Sequence, residues 1–222
     1  MGKKNKKFVI ISGGSIQDAF AGELLRDEEF DVILAADSGM EFLKREDIVP
    51  DVIIGDFDSV KAETLEFFQK YETVEFHQLN PIKDDTDTEY AIRYAIAHGA
   101  SEITLLGATG TRMDHVLGNI SLLGIGLEQK VPITILDANN RIRMADHSLE
   151  ILKTEQFGKY VSLIPYSEKV TGLTLKGMKY PLDHYELGGF NSLGVSNEIV
   201  DHKAEIIFES GILIVIESID LG

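Results

Sequence analysis

The sequence predicts an α/β fold: an N-terminal domain on a Rossmann-like parallel sheet, followed by an all-β domain. Three observations predict it. Between residues 8 and 136 short apolar runs alternate with amphipathic stretches, the pattern of repeated strand–helix units. After Arg143 the pattern changes to short alternating stretches broken by Gly, Pro and Ser. Segments rich in glycine and aspartate follow the strands of the first half, at the edge where open α/β sheets bind ligands.

Six strands are expected in the first half, at residues 8–12, 32–36, 52–55, 74–78, 103–106 and 133–137. Several are continuous Val/Ile/Leu runs, as strands covered on both faces require. Helices fill the gaps. The clearest is 86–98, where Tyr90, Ala91, Tyr94, Ala95 and Ile96 recur near helical spacing and Gly99 supplies the stop. Another runs from about Asp114 to Gln129. In the second half, residues 160–164, 170–175, 204–208 and 212–217 read as strands. Ser210-Gly211 reads as a tight hairpin turn between the last two, and the spacing suits a small sandwich or barrel. The boundary falls within 138–149, giving domains 1–142 and 143–222.

A length of 222 residues suits one or two domains, and the change of pattern favours two. Hydrophobic residues at 44% with 26% charged residues are ordinary for a soluble globular protein. No apolar stretch approaches the roughly 20 residues of a membrane-spanning helix, so no membrane is expected. The basic start, residues 1–7, lacks a signal-peptide apolar region, because Gly13 and Gly14 interrupt the run that begins at Phe8. Lys6 stands where a myristoylation signal wants Ser or Thr. The absence of cysteine excludes disulfides, thiolate metal sites and a cysteine nucleophile, and fits a cytoplasmic location. A net charge of −16 argues against nucleic acid as a partner, since binding a phosphate polymer depends on Lys and Arg. A small anionic substrate must then be met by local cations or a metal.

Five aspartates form three clusters: Asp56 and Asp58 in Gly-Asp-Phe-Asp-Ser, Asp84 and Asp87 in Lys-Asp-Asp-Thr-Asp-Thr-Glu, and Asp114 in Thr-Arg-Met-Asp-His. Each closely follows a strand, so one parallel sheet delivers all five to the same edge. Carboxylates a few ångströms apart repel and raise one another's pKa values. A hard divalent cation removes that penalty and leaves positions open for phosphate oxygens. Asp56, Asp58, Asp84, Asp87 and Asp114 are therefore candidate metal ligands.

In an extended segment Asp56 and Asp58 point to one side and Phe57 to the other. Alternatively Asp58 or Ser59 caps a helix beginning near Val60. Thr86 and Glu89 fit a capping box, yet Asp84, Asp85 and Asp87 crowd more charge into one turn than a cap needs, beside Lys83, a candidate phosphate contact. Ser12-Gly13-Gly14, Asp37-Ser38-Gly39 and Gly107-Ala108-Thr109-Gly110-Thr111-Arg112 follow the first, second and fifth strands. Such loops let backbone N–H groups approach a phosphate at a helix N-terminus, or are ordinary strand-to-helix turns. Arg112 suits a guanidinium gripping phosphate while Asp114 meets a metal or a hydroxyl; His115 is given no role.

Taken in order, Ala36-Asp37-Ser38-Gly39, Pro50-Asp51 through Gly55-Asp56-Phe57-Asp58-Ser59, Lys83-Asp84-Asp85-Thr86-Asp87-Thr88-Glu89 and the run from Gly107 to His115 resemble the thiamine pyrophosphokinase family. The second half resembles that family's thiamine-binding domain in Gly172-Leu173, Gly177-Met178-Lys179-Tyr180-Pro181-Leu182 and Asn191-Ser192-Leu193-Gly194-Val195-Ser196-Asn197-Glu198. Thr111 stands where a second glycine is expected and Ser38 where glycine is common.

The resemblance implies an α/β catalytic domain, a C-terminal β-sandwich and a homodimer whose active sites lie between one subunit's catalytic domain and the partner's sandwich. It also implies transfer of pyrophosphate from ATP to the hydroxyethyl oxygen of thiamine, giving thiamine diphosphate and AMP. In that setting Asp56, Asp58, Asp87, Asp114, Arg112 and Lys83 are expected in catalysis with Mg²⁺. Gly13, Gly14, Asp37, Ser38, Gly39, Thr109, Gly110, Thr111 and Arg112 are expected around ATP. Ser192, Ser196 and Asn197 either supply polar contacts to thiamine or form a strand-joining turn, and Tyr180 is core or pocket wall. Two other readings stand beside this one: a non-catalytic nucleotide sensor, and another Mg²⁺-dependent phosphoryl or nucleotidyl transferase.

Overall fold

A computed structural model describes residues 5–58, 60–80 and 85–220. The chain divides into two compact units, one ending at Ala138 and the other beginning at Asn139.

The first unit contains β1 (Lys6–Ile11), α1 (Asp18–Asp27), β2 (Val32–Ala36), a 3₁₀ turn (Asp37–Gly39), α2 (Met40–Arg45), β3 (Val52–Gly55), α3 (Ala62–Phe68), β4 (Glu75–Gln78), α4 (Asp87–Ala97), β5 (Ala100–Leu106), α5 (Met113–Gln129) and β6 (Ile133–Leu136). Its strands lie in the order β4-β3-β2-β1-β5-β6, and every neighbouring pair is parallel. β1 is central, and Phe8, Val9, Ile10 and Ile11 are at most 1% exposed, so no polar alternation survives there. The chain moves outward from β1 to β4, then returns to the other side of β1 with β5. That reversal marks the place along the carboxyl edge, beside β1 and β5, where an open α/β sheet offers a crevice.

Helix α4 shows how local sequence places the site. Thr86 is its N-cap, and its Oγ1 accepts the Glu89 N–H at 3.2 Å. The reciprocal half of the expected capping box is replaced by an ion pair, because Glu89 Oε1 accepts from Arg93 Nε at 3.0 Å and Nη2 at 2.7 Å. Gly99, at φ 90°, ends the segment in a conformation that favours glycine.

The second unit contains β7 (Asn140–Ala145), β8 (Leu149–Leu152), β9 (Tyr160–Pro165), β10 (Lys169–Lys176), β11 (Leu182–Gly188), β12 (Asn197–Glu198), β13 (Lys203–Ile207) and β14 (Leu213–Ser218). Two antiparallel sheets form, β12-β9-β14-β7 and β11-β10-β13-β8. Val161, Leu163, Leu213 and Val215 from one sheet share a core with Ile151, Val170, Leu173, Leu187 and Ile206 from the other, which makes the unit a sandwich. Fully buried Glu217 accepts from Arg141 Nε at 2.9 Å, Arg143 Nη2 at 2.7 Å and the Phe157 N–H at 3.0 Å.

The expected hairpin at Ser210-Gly211 is corrected. β13 pairs with β8 and β10 while β14 pairs with β7 and β9, so this turn carries the chain from one sheet to the other. Small residues announce a reversal of direction, but the inward faces of the strands decide which sheet the next one joins. No helix among the described residues is long and apolar enough to cross a membrane.

Candidate active site

A cleft of about 430 Å³ opens at the carboxyl edge of the first unit's sheet, at the crevice between β1 and β5. It is lined by segments 12–15, 36–38, 86–88 and 107–112, with His115, Val116 and Asn119 from α5. Its walls are thus the first residues after β1, β2 and β5 and the first turn of α4.

The glycines have an identifiable job there. Ser12 N–H donates to Leu106 O, Gly14 N–H to Gly107 O and Ser15 N–H to Thr109 O, each at 2.8 Å, so the loops after β1 and β5 are laced together. A Cβ on Gly14 would run into the carbonyl oxygens of Gly107 and Thr109, and one on Gly13 into Ser38 Oγ. The Gly14 N–H is committed within the protein, and the absence of a side chain there is what lets the two loops pack this closely. Gly39 does not line the cleft; it is buried, and a Cβ there would meet the Ile11 carbonyl. Asp37 does line it, from a left-handed backbone at φ 48°, a conformation that costs energy outside glycine and is often kept at functional sites. Ser38, Thr109, Gly110, Thr111 and Arg112 line it as well.

The described predicted carboxylates, Asp56, Asp58, Asp87 and Asp114, follow parallel strands, but they are disposed differently. Asp87, first residue of α4, lines the cleft. Asp56 and Asp58 stand just past β3 outside the lining set. Their segment is not extended as expected: Phe57 has φ 66°, and the Asp58 N–H donates to Asp56 Oδ1 at 3.1 Å in a tight turn. The Phe57 ring packs edge-on against Phe76, with centroids 6.5 Å apart, and joins the apolar core. Burial of that ring selects the turn. α3 begins at Ala62 without a side-chain cap, so Asp58 does not serve as one. Lys83, Asp84 and Ser59 lie outside the described residues.

Arg112 lines the cleft and forks onto Asp114, with Nε 3.2 Å from Oδ1 and Nη2 on Oδ2. The Arg112 hydrogen bonds hold the Asp114 carboxyl down to about 2, helped by the His115 N–H at 3.0 Å, and the carboxylate in turn raises Arg112. Two groups expected to meet phosphate and metal separately therefore meet each other.

Among the described residues no three His, Asp or Glu side chains stand close enough to cage an ion. Mg²⁺ is commonly held by one or two carboxylates together with substrate phosphates and waters. All-oxygen donors such as Asp87 fit that ion by chemistry as well.

In the second unit Tyr180 is 59% exposed, and Asn197 only 5%. Asn197 Oδ1 accepts the N–H groups of Tyr180 at 3.0 Å and Glu198 at 2.9 Å, and its Nδ2 donates to Tyr180 O at 2.8 Å. Its amide thus ties two segments together. Ser196, at φ 59°, donates its N–H to Ser162 Oγ at 3.0 Å, and the Ser192 carbonyl accepts the Val195 N–H at 3.1 Å.

Sequence reasoning passed over Ser15, Thr88, Asn119 and Asp137. Thr88 Oγ1 lies 3.0 Å from Ser12 Oγ, Asn119 Nδ2 donates to Ala108 O at 2.7 Å, and Thr109 Oγ1 donates to Asp137 Oδ2 at 2.8 Å. Asn119 was within reach of periodicity: Arg112, His115, Val116 and Asn119 recur at helical spacing and all face the cleft.

The profile of the thiamin pyrophosphokinase catalytic domain matches residues 25–135, and that of the family's vitamin B1 binding domain matches residues 146–213. The chain is 33% identical over 193 residues to the thiamine pyrophosphokinase of Bacillus subtilis strain 168, spanning 87% of this chain and 90% of that one. The chain belongs to the thiamine pyrophosphokinase family. Among solved structures of thiamine pyrophosphokinases, that from Bacillus subtilis superimposes with a TM-score of 0.87 at 33% identity, covering 97% of this chain and all of that one (100%). The thiamin pyrophosphokinase from Geobacillus thermodenitrificans gives 0.84 at 31% identity, covering 97% and 99%. The Candida albicans thiamin pyrophosphokinase shares the fold, with a TM-score of 0.81 at 19% identity over 96% of this chain and 89% of that one. Within this thiamine pyrophosphokinase family chain the cleft falls mostly inside the catalytic-domain match, with segment 12–15 before it, and Tyr180, Ser192, Ser196 and Asn197 fall inside the vitamin B1 binding match.

Proposed function

We propose that the chain transfers the pyrophosphoryl group of ATP to the hydroxyethyl oxygen of thiamine, giving thiamine diphosphate and AMP. The observation that carries this reading is the cleft at the sheet's reversal, where glycine loops, Arg112 and Asp87 converge in a chain of this family. Asp87 would hold Mg²⁺, with Asp56, Asp58 and either Asp84 or Asp114 meeting it only as ATP phosphates and waters complete the site, because no three described carboxylates stand together. When bound, the ion would neutralise phosphate charge and help align the β-phosphorus with the attacking hydroxyl.

The chain's own groups divide the remaining work. Gly13, Gly14, Asp37, Ser38, Gly39 and the run Thr109-Gly110-Thr111 shape the ATP site, Gly39 by letting the turn after β2 lie on β1. Arg112, with Lys83, meets the charge developing on phosphate oxygens. To do so Arg112 must exchange Asp114 for phosphate. Asp114 is a poor base while its carboxyl is held at about 2, and that exchange is what makes it useful as the hydroxyl's proton acceptor. Asp87 is the other candidate acceptor. Tyr180, Ser192 and Ser196 would line the thiamine pocket, with Asn197 shaping it through the backbone it ties.

The same reading takes residues 1–142 as the nucleotide- and metal-binding domain and 143–222 as the thiamine-binding domain of a cytoplasmic homodimer with shared active sites. Two matched domains disfavour a bare nucleotide sensor or an unrelated transferase. Incubation with ATP, Mg²⁺ and thiamine should yield AMP in step with thiamine diphosphate; ADP, free phosphate or no turnover would overturn the proposal. Asp56→Asn, at nearly constant size, should lower turnover most at limiting Mg²⁺, and wild-type rates there would remove Asp56 from the metal site.

A further inference from the structure

We propose that Ser12 is a positioning residue whose hydroxyl contact with Thr88 fixes the first turn of α4, and with it Asp87, at the wall of the cleft. The proposal rests on the reading of Asp87 as a Mg²⁺ ligand and adds a residue that acts through it.

The two hydroxyls come from positions 76 residues apart, and their oxygens lie 3.0 Å from one another. Ser12 is the first residue past the central strand β1 and is 2% exposed. Its N–H is tied to Leu106 O at 2.8 Å, so its backbone is anchored to β5 as well as to its own strand. Thr88 is the second residue of α4, directly after Asp87. The helix does not need Ser12 as a cap, because Thr86 already caps it through the Glu89 N–H. What the Ser12 contact adds is a tether from the first turn of α4 to the centre of the sheet.

Asp87 thus stands between two anchored residues, Thr86 inside its own helix and Thr88 on Ser12. A carboxylate that must meet a cation with demanding octahedral geometry gains from such support, since small displacements of a ligand are costly at that ion. Losing either hydroxyl removes this part-buried contact at the cleft wall and lets the turn shift.

The experiment is calorimetric titration of ATP, with and without Mg²⁺, into the full chain and into Ser12→Ala, Thr88→Val, the double variant and Thr88→Ser. Ser12→Ala and Thr88→Val should each weaken Mg²⁺-dependent ATP binding by about tenfold, the scale of one hydrogen bond. Because Ser12 and Thr88 themselves line the cleft, metal-free ATP affinity should also fall, but by less than the Mg²⁺-dependent affinity. The double variant should lose no more than either single one, and Thr88→Ser, which keeps a hydroxyl, should rescue binding. Additive losses, or equal losses with and without Mg²⁺, would mean that each hydroxyl meets the nucleotide by itself and would overturn the proposal. Unaltered Mg²⁺ dependence in both single variants would overturn it and leave the proposed function standing. A wild-type protein whose ATP affinity ignores Mg²⁺ would overturn both.

Discussion

Arg112 decides how Asp114 titrates. The carboxyl sits at about 2 rather than the ordinary 3.8, first because Arg112 hydrogen-bonds its charged form. A depressed folded-state value means the pair's contribution is complete above 3.8 and is lost as the pH falls toward 2. Both groups are exposed, where ion pairs add little stability, so the readout is titration and not melting. In Arg112→Ala the Asp114 carboxyl, followed by NMR, should return toward 3.8; a value still near 2 would mean that the His115 N–H carries the shift. Asn197 belongs to the opposite regime. Its buried amide satisfies three backbone groups, so Asn197→Ala should cost about 2–3 kcal/mol in urea denaturation, since the partners left behind lose their hydrogen bonds. A loss confined to thiamine affinity, with stability intact, would instead make Asn197 a direct ligand contact.

At the scale of elements, the laced loops after β1 and β5 behave as one unit. Gly14→Ala would push a methyl group into the Gly107 and Thr109 carbonyls, so the nucleotide-induced rise in melting temperature should vanish while the sandwich core is untouched. An undiminished rise would show that the loops can part without consequence for the cleft. How far such features could be read from the sequence depends on what set them. β2 and β3 were legible to the residue, because continuous buried apolar runs leave few alternatives. β11 was not, since at an edge its Asp183, His184, Tyr185 and Glu186 are exposed and carry no alternation. β7 hid for another reason: Arg141 and Arg143 turn inward to Glu217 and invert the expected polar face. In the site, the loops at the carboxyl edge were legible from position alone. The turn at Phe57 and the Ser12–Thr88 contact were not, because both depend on residues distant in sequence, Phe76 for one and α4 against β1 for the other.

Over the whole molecule, 37 acidic residues face 21 Lys and Arg, and the net charge of −16 opposes the approach of a nucleotide polyanion. Cations placed locally at the cleft, such as Arg112, must overcome a field that the rest of the surface creates. This inverts the usual salt dependence of phosphate recognition, where added salt weakens binding by competing for released counterions. Raising ionic strength from about 0.01 M to 0.15 M shortens the screening length from roughly 30 Å to 8 Å, which removes long-range repulsion while sparing contacts made within the cleft. Stopped-flow association of metal-free ATP should therefore accelerate over that range, and the gain should shrink once Mg²⁺ has neutralised part of the ligand's charge. A rate that falls with salt would mean the local field at the cleft is positive enough to dominate the approach, and that the distribution of charge, not its total, governs how this protein meets its nucleotide.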